Sequence, residues 1–220
     1  PVQPDLDQNG ANGVYRTNWP TAACPAVNAW TLISRENNGW PANTGVGVSF
    51  APFGRVELAI APSQPNVIYA KTINTSDFEI QAVYRSVDGG NTWQLRSQPF
   101  GASFTGCLPG GQNWYNAGIS VDPNNPETVI LSAWWVYRST DGGNTFPAIS
   151  CARSGSSDVG TIHIDQHARA FVGGSSNRLL VGNDGGVYYT DNATAAAPTW
   201  TPLNATINAI EFYSGDLSAN

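Results

Sequence analysis

The octapeptide SVDGGNTW at residues 86–93 decides the fold, because it occurs again, almost unchanged, as STDGGNTF at residues 139–146. Each copy follows the tripeptide Val-Tyr-Arg, at 83–85 and again at 136–138. We call these two octapeptides the first box and the second box. Near-identical octapeptides about 50 residues apart are typical of a protein built from repeated structural units.

Weaker copies of the same pattern occur before and after the two boxes. Val187-Tyr-Tyr-Thr-Asp-Asn resembles the start of a box, and Thr199-Trp200 closes it after an insertion. Near the beginning of the chain, Val14-Tyr-Arg-Thr is followed by Trp30 after a longer loop. From the closing aromatic residue onward the chain reads WTLIS at 30, WQLRS at 93, FPAIS at 146 and WTPLN at 200. The sequence therefore indicates related units along its whole length.

The later units also have an apolar hairpin upstream of the box. These hairpins are LAIAPSQPNVIYA at 58–70, ISVDPNNPETVILSA at 119–133 and RAFVGGSSNRLLVGN at 169–183. In each, two short apolar stretches flank a turn rich in Pro, Gly, Asn or Ser, which predicts two antiparallel strands. With Val-Tyr-Arg as the third strand and the residues after the closing aromatic as the fourth, each unit has the strands of a propeller blade.

We therefore predict an all-β fold, a β-propeller with four-stranded antiparallel blades that is incomplete in this chain. The whole of 1–220 is a single partial propeller, with approximate blades 1–50, 51–100, 101–152, 153–208 and the start of the next at 209–220. At about 50 residues per blade, this length does not close a ring of six or more blades. We expect the remaining blades to come from a missing segment or another chain.

The repeated residues of the boxes have a structural explanation. Aspartate in a tight turn accepts hydrogen bonds from the backbone of that turn, and glycine adopts positive φ without strain. The closing aromatic residue buries apolar surface against neighbouring strands. The residues assigned to this structural role are Ser86, Asp88, Gly90, Thr92, Trp93, Ser139, Asp141, Gly143, Thr145 and Phe146.

These residues resemble the bacterial neuraminidase repeat, or Asp-box, whose pattern is Ser-x-Asp-x-Gly-x-Thr-Trp. The first box matches this pattern throughout, and the second has Phe146 in place of the tryptophan. Proteins with this repeat include sialidases, xyloglucanase-like glycosidases, sortilin-type receptors and secreted propellers of unassigned activity. The resemblance implies a β-propeller whose boxes lie on the rim of the blades, away from the catalytic face.

Composition argues against some classes of partner. The net charge is −6 with only ten Lys and Arg residues, which disfavours nucleic acid or an anionic membrane as the main partner. No apolar run approaches the roughly 18 residues of a membrane span. Low charge and a surface rich in Gly, Asn and Ser favour a secreted or cell-surface protein. We predict a disulfide between Cys107 and Cys151, in successive blade-linking loops, with Cys24 free or paired elsewhere.

A propeller usually binds its ligand at the end where the first strands of several blades begin. We call this end, which also carries the loops joining blades, the loop face. Polar and aromatic residues occur there in each unit, and the candidate ligand-binding residues are Arg55, Glu57, Trp114, Tyr115, Asn116, Asp165, His167, Asp184, Glu211 and Tyr213. The alternative is that these side chains only hydrogen-bond one another around the propeller axis.

The segment HIDQH at 163–167 contains both histidines of the chain. On a strand, His163, Asp165 and His167 face one side, and two imidazoles with a carboxylate suit a transition metal. However, the two histidines of such a strand are about 13 Å apart, too far for one ion unless the strand bends. We therefore assign no metal site and no cofactor, and expect these side chains to serve as hydrogen-bonding groups.

The sequence does not identify a catalytic residue. Arg16, Arg85 and Arg138 occupy one position of the repeat, which indicates blade structure rather than an arginine triad that would bind a sialic acid carboxylate. Glycosidases need two carboxylates at a defined separation, and no pair stands out. The favoured function is an extracellular binding or structural module that contacts a glycan or a protein through the loop face. The alternative is a sialidase- or xyloglucanase-like glycoside hydrolase with catalytic carboxylates partly outside this segment.

Overall fold

The computed structural model describes residues 14–17, 30–40, 53–74, 77–98, 103–116, 118–151 and 162–207. The predictions for Cys24, Glu211 and Tyr213 concern residues that lie outside these ranges. Within the ranges, secondary structure consists of strands and two short 3-10 turns, at Glu36–Asn38 and Asn204–Thr206. The fold is all-β and is that of an incomplete β-propeller.

Most strands belong to three antiparallel sheets that correspond to blades. A strand pair, β1 (Tyr15–Arg16) and β2 (Thr31–Leu32), precedes them. Sheet A consists of β3 (Phe53–Ala61), β4 (Gln64–Asn74), β5 (Ile80–Ser86) and β6 (Gln94–Ser97). After β7 (Phe104–Thr105), sheet B consists of β8 (Gly118–Val121), β9 (Val129–Ser132) and β10 (Val136–Ser139). After β11 (Phe146–Pro147), sheet C consists of β12 (Gln166–Phe171), β13 (Leu179–Asn183), β14 (Gly186–Thr190) and β15 (Thr201–Pro202).

Apolar side chains fill the spaces between neighbouring sheets. One cluster, which includes the fully buried Tyr69, Leu131 and Tyr137, lies between sheets A and B. A second joins the β1–β2 pair to sheet A around Trp40 and Trp93, and a third joins sheets B and C. Both faces of a central strand are therefore covered. This explains why β4 and β9 contain continuous apolar runs rather than an alternating pattern.

The first box forms a turn that is held by its own side chains, as predicted. Asp88 Oδ1 accepts a hydrogen bond from the Thr92 N–H at 2.8 Å, and Oδ2 accepts one from the Thr92 hydroxyl at 2.7 Å. The Ser86 hydroxyl donates to Asp88 Oδ1 and accepts from the Gly90 N–H, both at 2.8 Å. Partial burial alone would raise the pKa of Asp88, but these hydrogen bonds outweigh it and lower the pKa to about 2.

The second box repeats this network around Asp141. Its Oδ1 accepts from the Thr145 N–H at 3.0 Å, and its Oδ2 accepts from the Thr145 hydroxyl at 2.7 Å. The closing residues Trp93 and Phe146 are buried, at 3% and 0% exposure, which confirms the prediction for both boxes. The two boxes are thus the same structural element in successive blades.

The unit in sheet C builds an equivalent turn without the aspartate. Asn192 Oδ1 accepts from the Thr190 hydroxyl at 2.7 Å and from the Thr199 N–H at 2.9 Å. Asn192 therefore takes the position of Asp88, and the insertion before Thr199 does not prevent the contact. A strand at or directly after each closing aromatic is present as β2, β6, β11 and β15. Sheet B nevertheless departs from the predicted four strands, because β11 pairs with β7 and meets sheet B only through a bridge between Tyr137 and Ala148.

Repeated contacts also join each blade to the next at the box end. The arginine of the Val-Tyr-Arg strand contacts the box turn, or its neighbour, in the following blade. The contacts are Arg16 Nη1 to Gly89 O at 2.5 Å, Arg85 Nη2 to Glu127 Oε1, and Arg138 Nη1 to Ala195 O at 2.8 Å. The interpretation of these arginines as blade structure agrees with their positions.

The predicted disulfide between Cys107 and Cys151 is present, with the two Cα atoms 5.9 Å apart. Just before Cys107 the structure contains a strand pairing that the sequence did not indicate. The strand β7 lies parallel to β11, with Phe104 opposite Phe146. The connection from sheet A to sheet B thus runs along the outer edge of sheet B. The disulfide fixes this connection just before it reaches the loop face.

Candidate functional site

The loop face is a continuous surface over sheets A, B and C. Its described residues, at the strand ends opposite the boxes, are 77–79, 108–116, 133–135, 162–167 and 184–185. Backbone hydrogen bonds join these loops: Asn113 N–H to Phe78 O at 2.9 Å, Trp134 N–H to Pro109 O at 3.1 Å, and Asp165 N–H to Trp134 O at 3.1 Å. Side chains from different blades are therefore held in fixed relative positions.

Four rings on this face contact one another in sequence, each with the next, and we call them the aromatic row: Phe78, Trp114, Tyr115 and His167. Neighbouring ring centroids in that order are 6.1, 5.6 and 4.9 Å apart. Phe78, Trp114 and Tyr115 are 48%, 48% and 54% exposed. A contiguous exposed aromatic surface with polar groups at its edge is typical of a ligand-binding site.

Buried asparagines hold the segment that carries two of these rings. In residues 112–116, which we call the aromatic segment, Asn113 and Asn116 are fully buried. Asn113 Nδ2 donates to Glu79 Oε2 at 3.2 Å, and Asn116 Nδ2 donates to Asp165 Oδ1 at 2.5 Å. The segment is thus bonded to sheet A on one side and to the loop before sheet C on the other.

Arg55 and Glu57 reach the same segment from β3. Arg55 Nη1 donates to Trp114 O at 2.6 Å, and Arg55 Nε donates to Glu57 Oε1 at 2.6 Å. Since β3 belongs to sheet A and Trp114 leads into sheet B, this contact crosses from one blade to the next. Arg55 therefore contacts the aromatic segment directly, and Glu57 is linked to it through Arg55.

His167 and Asp184 lie at the other end of the aromatic row. His167 Nε2 is 2.6 Å from Asp184 Oδ1, and the imidazole is nearly perpendicular to the ring of Tyr115, with the centroids 4.9 Å apart. Asp184 sits in a tight turn whose Gly185 N–H donates to Asn183 Oδ1 at 3.0 Å. This arrangement places a carboxylate and an imidazole beside the exposed tyrosine, where they can form directional hydrogen bonds.

Backbone strain is concentrated at the loop face. In the described part of the chain, the non-glycine residues with positive φ are Phe78 at 59°, Gln112 at 62° and Asp165 at 65°. Each of them adjoins the aromatic row or the aromatic segment. Such conformations cost about 1–3 kcal/mol each and persist where the surrounding structure enforces them, often at functional sites.

Lys71, the single lysine of the chain, is fully buried between sheets A and B near the loop face. Its Nζ donates to Ser132 O at 2.7 Å, and in the sheet it lies opposite Glu57. Burial and, less strongly, the nearby charge of Arg169 lower the pKa of Lys71 to about 7, while Glu57 opposes the shift. The site therefore has a buried amine that titrates near neutral pH.

The interpretation of HIDQH as one strand with three aligned side chains was wrong. The strand β12 begins only at Gln166, and the positive φ of Asp165 bends the chain before it. Gln166 Nε2 donates to His163 O at 2.6 Å, which closes a compact turn. His163 and Asp165 therefore belong to a loop, and only His167 lies on the strand.

The structure brings together the candidate ligand-binding residues that lie in its described ranges. They are Arg55, Glu57, Trp114, Tyr115, Asn116, Asp165, His167 and Asp184. In these ranges, no group of three or more His, Cys, Asp or Glu side chains is placed to hold one metal ion. The same ranges contain no helix with the length and apolar character that a bilayer span requires.

Sequence reasoning missed Phe78, Glu79, Asn113 and Trp134 at this face. Phe78 and Trp134 occupy the turn between the second and third strands, a position that the topology assigns to the loop face. The adjacent tryptophans in AWWVYR were therefore a usable signal. Phe78 was harder to find, because the sequence around it does not resemble the corresponding turns of the other units.

No family model matches the chain. In sequence the chain is similar to a xyloglucanase of Hypocrea jecorina (strain QM6a), with 28% identity over 224 aligned residues, 90% of this chain and 23% of that protein. The chain thus spans about a quarter of the length of this relative. The likeness favours a glycoside hydrolase-related propeller, the alternative function, over a binding or structural module.

Three solved structures show a partial likeness. A GH74 enzyme of Niastella koreensis has 21% identity and a TM-score of 0.47, covering 86% of this chain and 27% of that one. YCF48 from Cyanidioschyzon merolae has 17% identity and a TM-score of 0.41, covering 68% and 37%. The GH74 xyloglucanase from Xanthomonas campestris has 14% identity and a TM-score of 0.37, covering 82% and 31%.

Proposed function

We propose that this chain is part of a secreted Asp-box propeller that hydrolyses an extended glycan, with xyloglucan as the first substrate to test. The aromatic row is the observation that carries the proposal. Its three exposed rings, Phe78, Trp114 and Tyr115, follow one another at 6.1 and 5.6 Å and offer a contiguous apolar surface to a sugar chain. The likeness to a xyloglucanase supports a glycan as ligand.

Each part of the site has a role in this proposal. Trp114 and Tyr115 stack against successive sugar rings, since aromatic side chains offer a large contact area at low entropic cost. His167 and Asp184 form hydrogen bonds to sugar hydroxyls at the end of the row. Glu211 and Tyr213 lie outside the described residues and remain predicted ligand-binding residues, and the remaining blades complete the site.

Hydrolysis requires two carboxylates that flank the scissile bond. Glu57, Asp165 and Asp184 are the candidate-site carboxylates in the described ranges, and we propose that one of them acts with a carboxylate outside this segment. The chain spans 23% of its xyloglucanase relative, so a catalytic pair divided between this segment and another is consistent with that relation. The boxes have no part in the reaction and serve the fold.

A second candidate is a non-catalytic glycan-binding propeller. One observation favours it: each of these carboxylates already accepts a hydrogen bond from a neighbouring side chain. The donors are Arg55 for Glu57 at 2.6 Å, Asn116 for Asp165 at 2.5 Å, and His167 for Asp184 at 2.6 Å. Under this alternative the protein binds the glycan with the same aromatic row and releases no product.

The test measures binding and product release with the intact protein on xyloglucan, with an α-linked glucan as the control polysaccharide. Trp114→Ala should weaken binding, and Trp30→Ala is the matched control, because Trp30 is equally exposed at 48% but lies at the box end of β2. Asp165→Asn and Asp184→Asn should reduce product release more strongly than they reduce binding. Binding without product release in the wild type would support the second candidate, and equal losses in the two tryptophan variants would refute the site.

A further inference from the structure

We propose that Arg55 is a positioning residue, which fixes Trp114 in the orientation that binds the glycan. The inference rests on the proposed function and adds a residue that acts through another one. Arg55 is not expected to touch the sugar. Arg55 affects binding through the hydrogen bond that it donates, from the neighbouring blade, to the carbonyl of Trp114.

The geometry carries the proposal. The guanidinium of Arg55 uses two different nitrogens, Nη1 to Trp114 O and Nε to Glu57 Oε1, both at 2.6 Å. A guanidinium is planar and rigid, so a bond from Nε to a fixed carboxylate also fixes the direction of Nη1. Glu57 is fixed in turn, because it lies on β3 and is only partly exposed. The carbonyl of Trp114 therefore meets a donor whose position is set before any ligand arrives.

Arg55 acts at the middle of the aromatic segment, between the two asparagine anchors. Asn113 and Asn116 tie its flanks to Glu79 and Asp165. The peptide group between Trp114 and Tyr115 lies between those anchors, and its carbonyl contact to Arg55 determines how this peptide group is oriented. A rotation of this peptide group changes the directions of both ring-bearing side chains at once.

The fold itself does not depend on this contact. Sheets A and B share a buried apolar cluster, and at the box end another arginine joins the same two blades. Arg96 Nε donates to Gly142 O at 2.8 Å, and Arg96 Nη2 donates to Asp141 O at 3.0 Å. Arg96 is therefore a matched control, because it also makes guanidinium–carbonyl bonds across this blade interface, but far from the aromatic row.

The experiment compares Arg55→Met with Arg96→Met in the intact protein. Loss of a charge-assisted hydrogen bond is expected to weaken xyloglucan binding about tenfold in Arg55→Met and to leave binding unchanged in Arg96→Met. Arg55→Lys keeps the charge but cannot reach both acceptors, so its affinity should fall between those of the wild type and Arg55→Met. Equal affinities for Arg55→Met and the wild type would overturn the proposal.

A double-mutant cycle separates positioning from general destabilisation. If Arg55 acts through the peptide group of Trp114, adding Arg55→Met to Trp114→Ala causes a smaller loss of affinity than Arg55→Met causes in the wild type. Independent and additive losses would overturn the proposal. Similar losses in Arg55→Met and Arg96→Met would also overturn it, because they would indicate that weakening of the blade interface, and not Trp114, affects binding.

A measurement without ligand keeps the inference testable if the protein does not bind xyloglucan. Amide hydrogen exchange in the free protein should become faster at residues 113–116 in Arg55→Met but not in Arg96→Met. Faster exchange there with no xyloglucan binding by the wild type would refute the proposed function and leave the positioning role standing. Unchanged exchange in Arg55→Met would refute the positioning role whatever the ligand.

Discussion

The two ends of the blades differ in the partners of their polar side chains. At the box end, Asp88 bonds to its own turn, and Arg16 bonds to the turn of the next blade. The same contacts recur around Asp141 and Arg138. At the loop face, contacts also join residues from different blades. A backbone bond to the preceding blade recurs there, as Asn113 N–H to Phe78 O and Asp165 N–H to Trp134 O, whereas the side-chain contacts of Arg55 and Asn116 occur once in the described residues.

We interpret this difference as a distinction between contacts that build the fold and contacts that shape a candidate binding surface. Contacts that recur in every unit solve a problem that every blade shares, namely closing a turn and joining the next blade. Contacts that occur once, such as Arg55 to Trp114 and Asn116 to Asp165, shape one particular surface. That surface also carries the exposed rings and the positive-φ residues, whereas the closing aromatics of the boxes, Trp93 and Phe146, are buried. We therefore expect changes at the two ends to have opposite effects on binding and stability.

The largest expected effect is on binding. The pair Trp114→Ala and His167→Ala should weaken glycan binding about 100-fold, because truncating central aromatic contacts of a binding site costs 2 kcal/mol or more. The free energy of unfolding should change by less than about 1 kcal/mol, since both side chains are partly exposed. Affinity electrophoresis and chemical denaturation measure the two quantities on the same samples.

The control for this prediction is the pair Asp88→Ala and Asp141→Ala at the box end. These variants should lower stability and leave glycan affinity unchanged in the protein that remains folded. The opposite pattern, with binding lost in the box variants and retained in the loop-face variants, would mean that the two ends have been assigned the wrong roles.

The second prediction concerns the disulfide between Cys107 and Cys151, which closes a loop with a sequence separation of 44. Replacing both cysteines by alanine should lower the free energy of unfolding by about 3–4 kcal/mol, by the loop-closure argument. Glycan affinity of the folded protein should not change, because the aromatic segment keeps its contacts to Glu79 and Asp165 through Asn113 and Asn116. Loss of binding in folded protein would show that the disulfide also positions the loop face.

Sequence reasoning predicted the box end more completely than the loop face, for a physical reason. The turn around Asp88 is local: Ser86, Gly90 and Thr92 lie within a few residues, so their spacing reveals the hydrogen bonds. The loop-face residues lie far apart in sequence. The strand order of a propeller blade predicts which strand ends lie at the same face, and this placed many of these residues together. It does not predict which of their side chains form hydrogen bonds with one another.

The errors at the loop face have the same origin. HIDQH was interpreted as a strand because its polar residues alternate, but the bend at Asp165 depends on a backbone bond to Trp134 O, a residue of another blade. The parallel pairing of β7 with β11 also depends on a distant partner. Neither contact leaves a periodic signal in the sequence. Lys71 was overlooked because its burial depends on the packing of two sheets.

A smaller effect on the free energy of unfolding is expected from a single substitution at the box end. Asp88→Ala should lower the free energy of unfolding by about 1–2 kcal/mol, because it removes the acceptors for Thr92 and Ser86. Asp191→Ala is the matched control: it removes the same charge from the unit in sheet C, where Asn192 makes the equivalent turn bonds. Equal destabilisation in the two variants would indicate that charge, and not the turn contacts, explains the role of the aspartate.

The smallest expected effect is the pH dependence that Lys71 gives to stability. Its pKa is about 7 in the folded protein, against an ordinary value of 10.5 that applies to the unfolded chain. Between these values the unfolded chain binds the proton and the folded protein does not, so the free energy of unfolding should rise with pH.

Between pH 7.5 and 8.5 this rise should amount to about 1 kcal/mol in the wild type. Lys71→Met lacks the titrating group, so its unfolding free energy should be flatter over the same interval, and at pH 6 it should equal or exceed that of the wild type because no buried charge needs a partner. Taking the difference between the two proteins at each pH cancels the titration of all other groups. Parallel pH profiles would show that Lys71 keeps an ordinary pKa in the folded protein. The blade interface beside the loop face would then contain an ammonium group that stays charged at neutral pH. Burial of Lys71 would in that case not make stability depend on pH in this range.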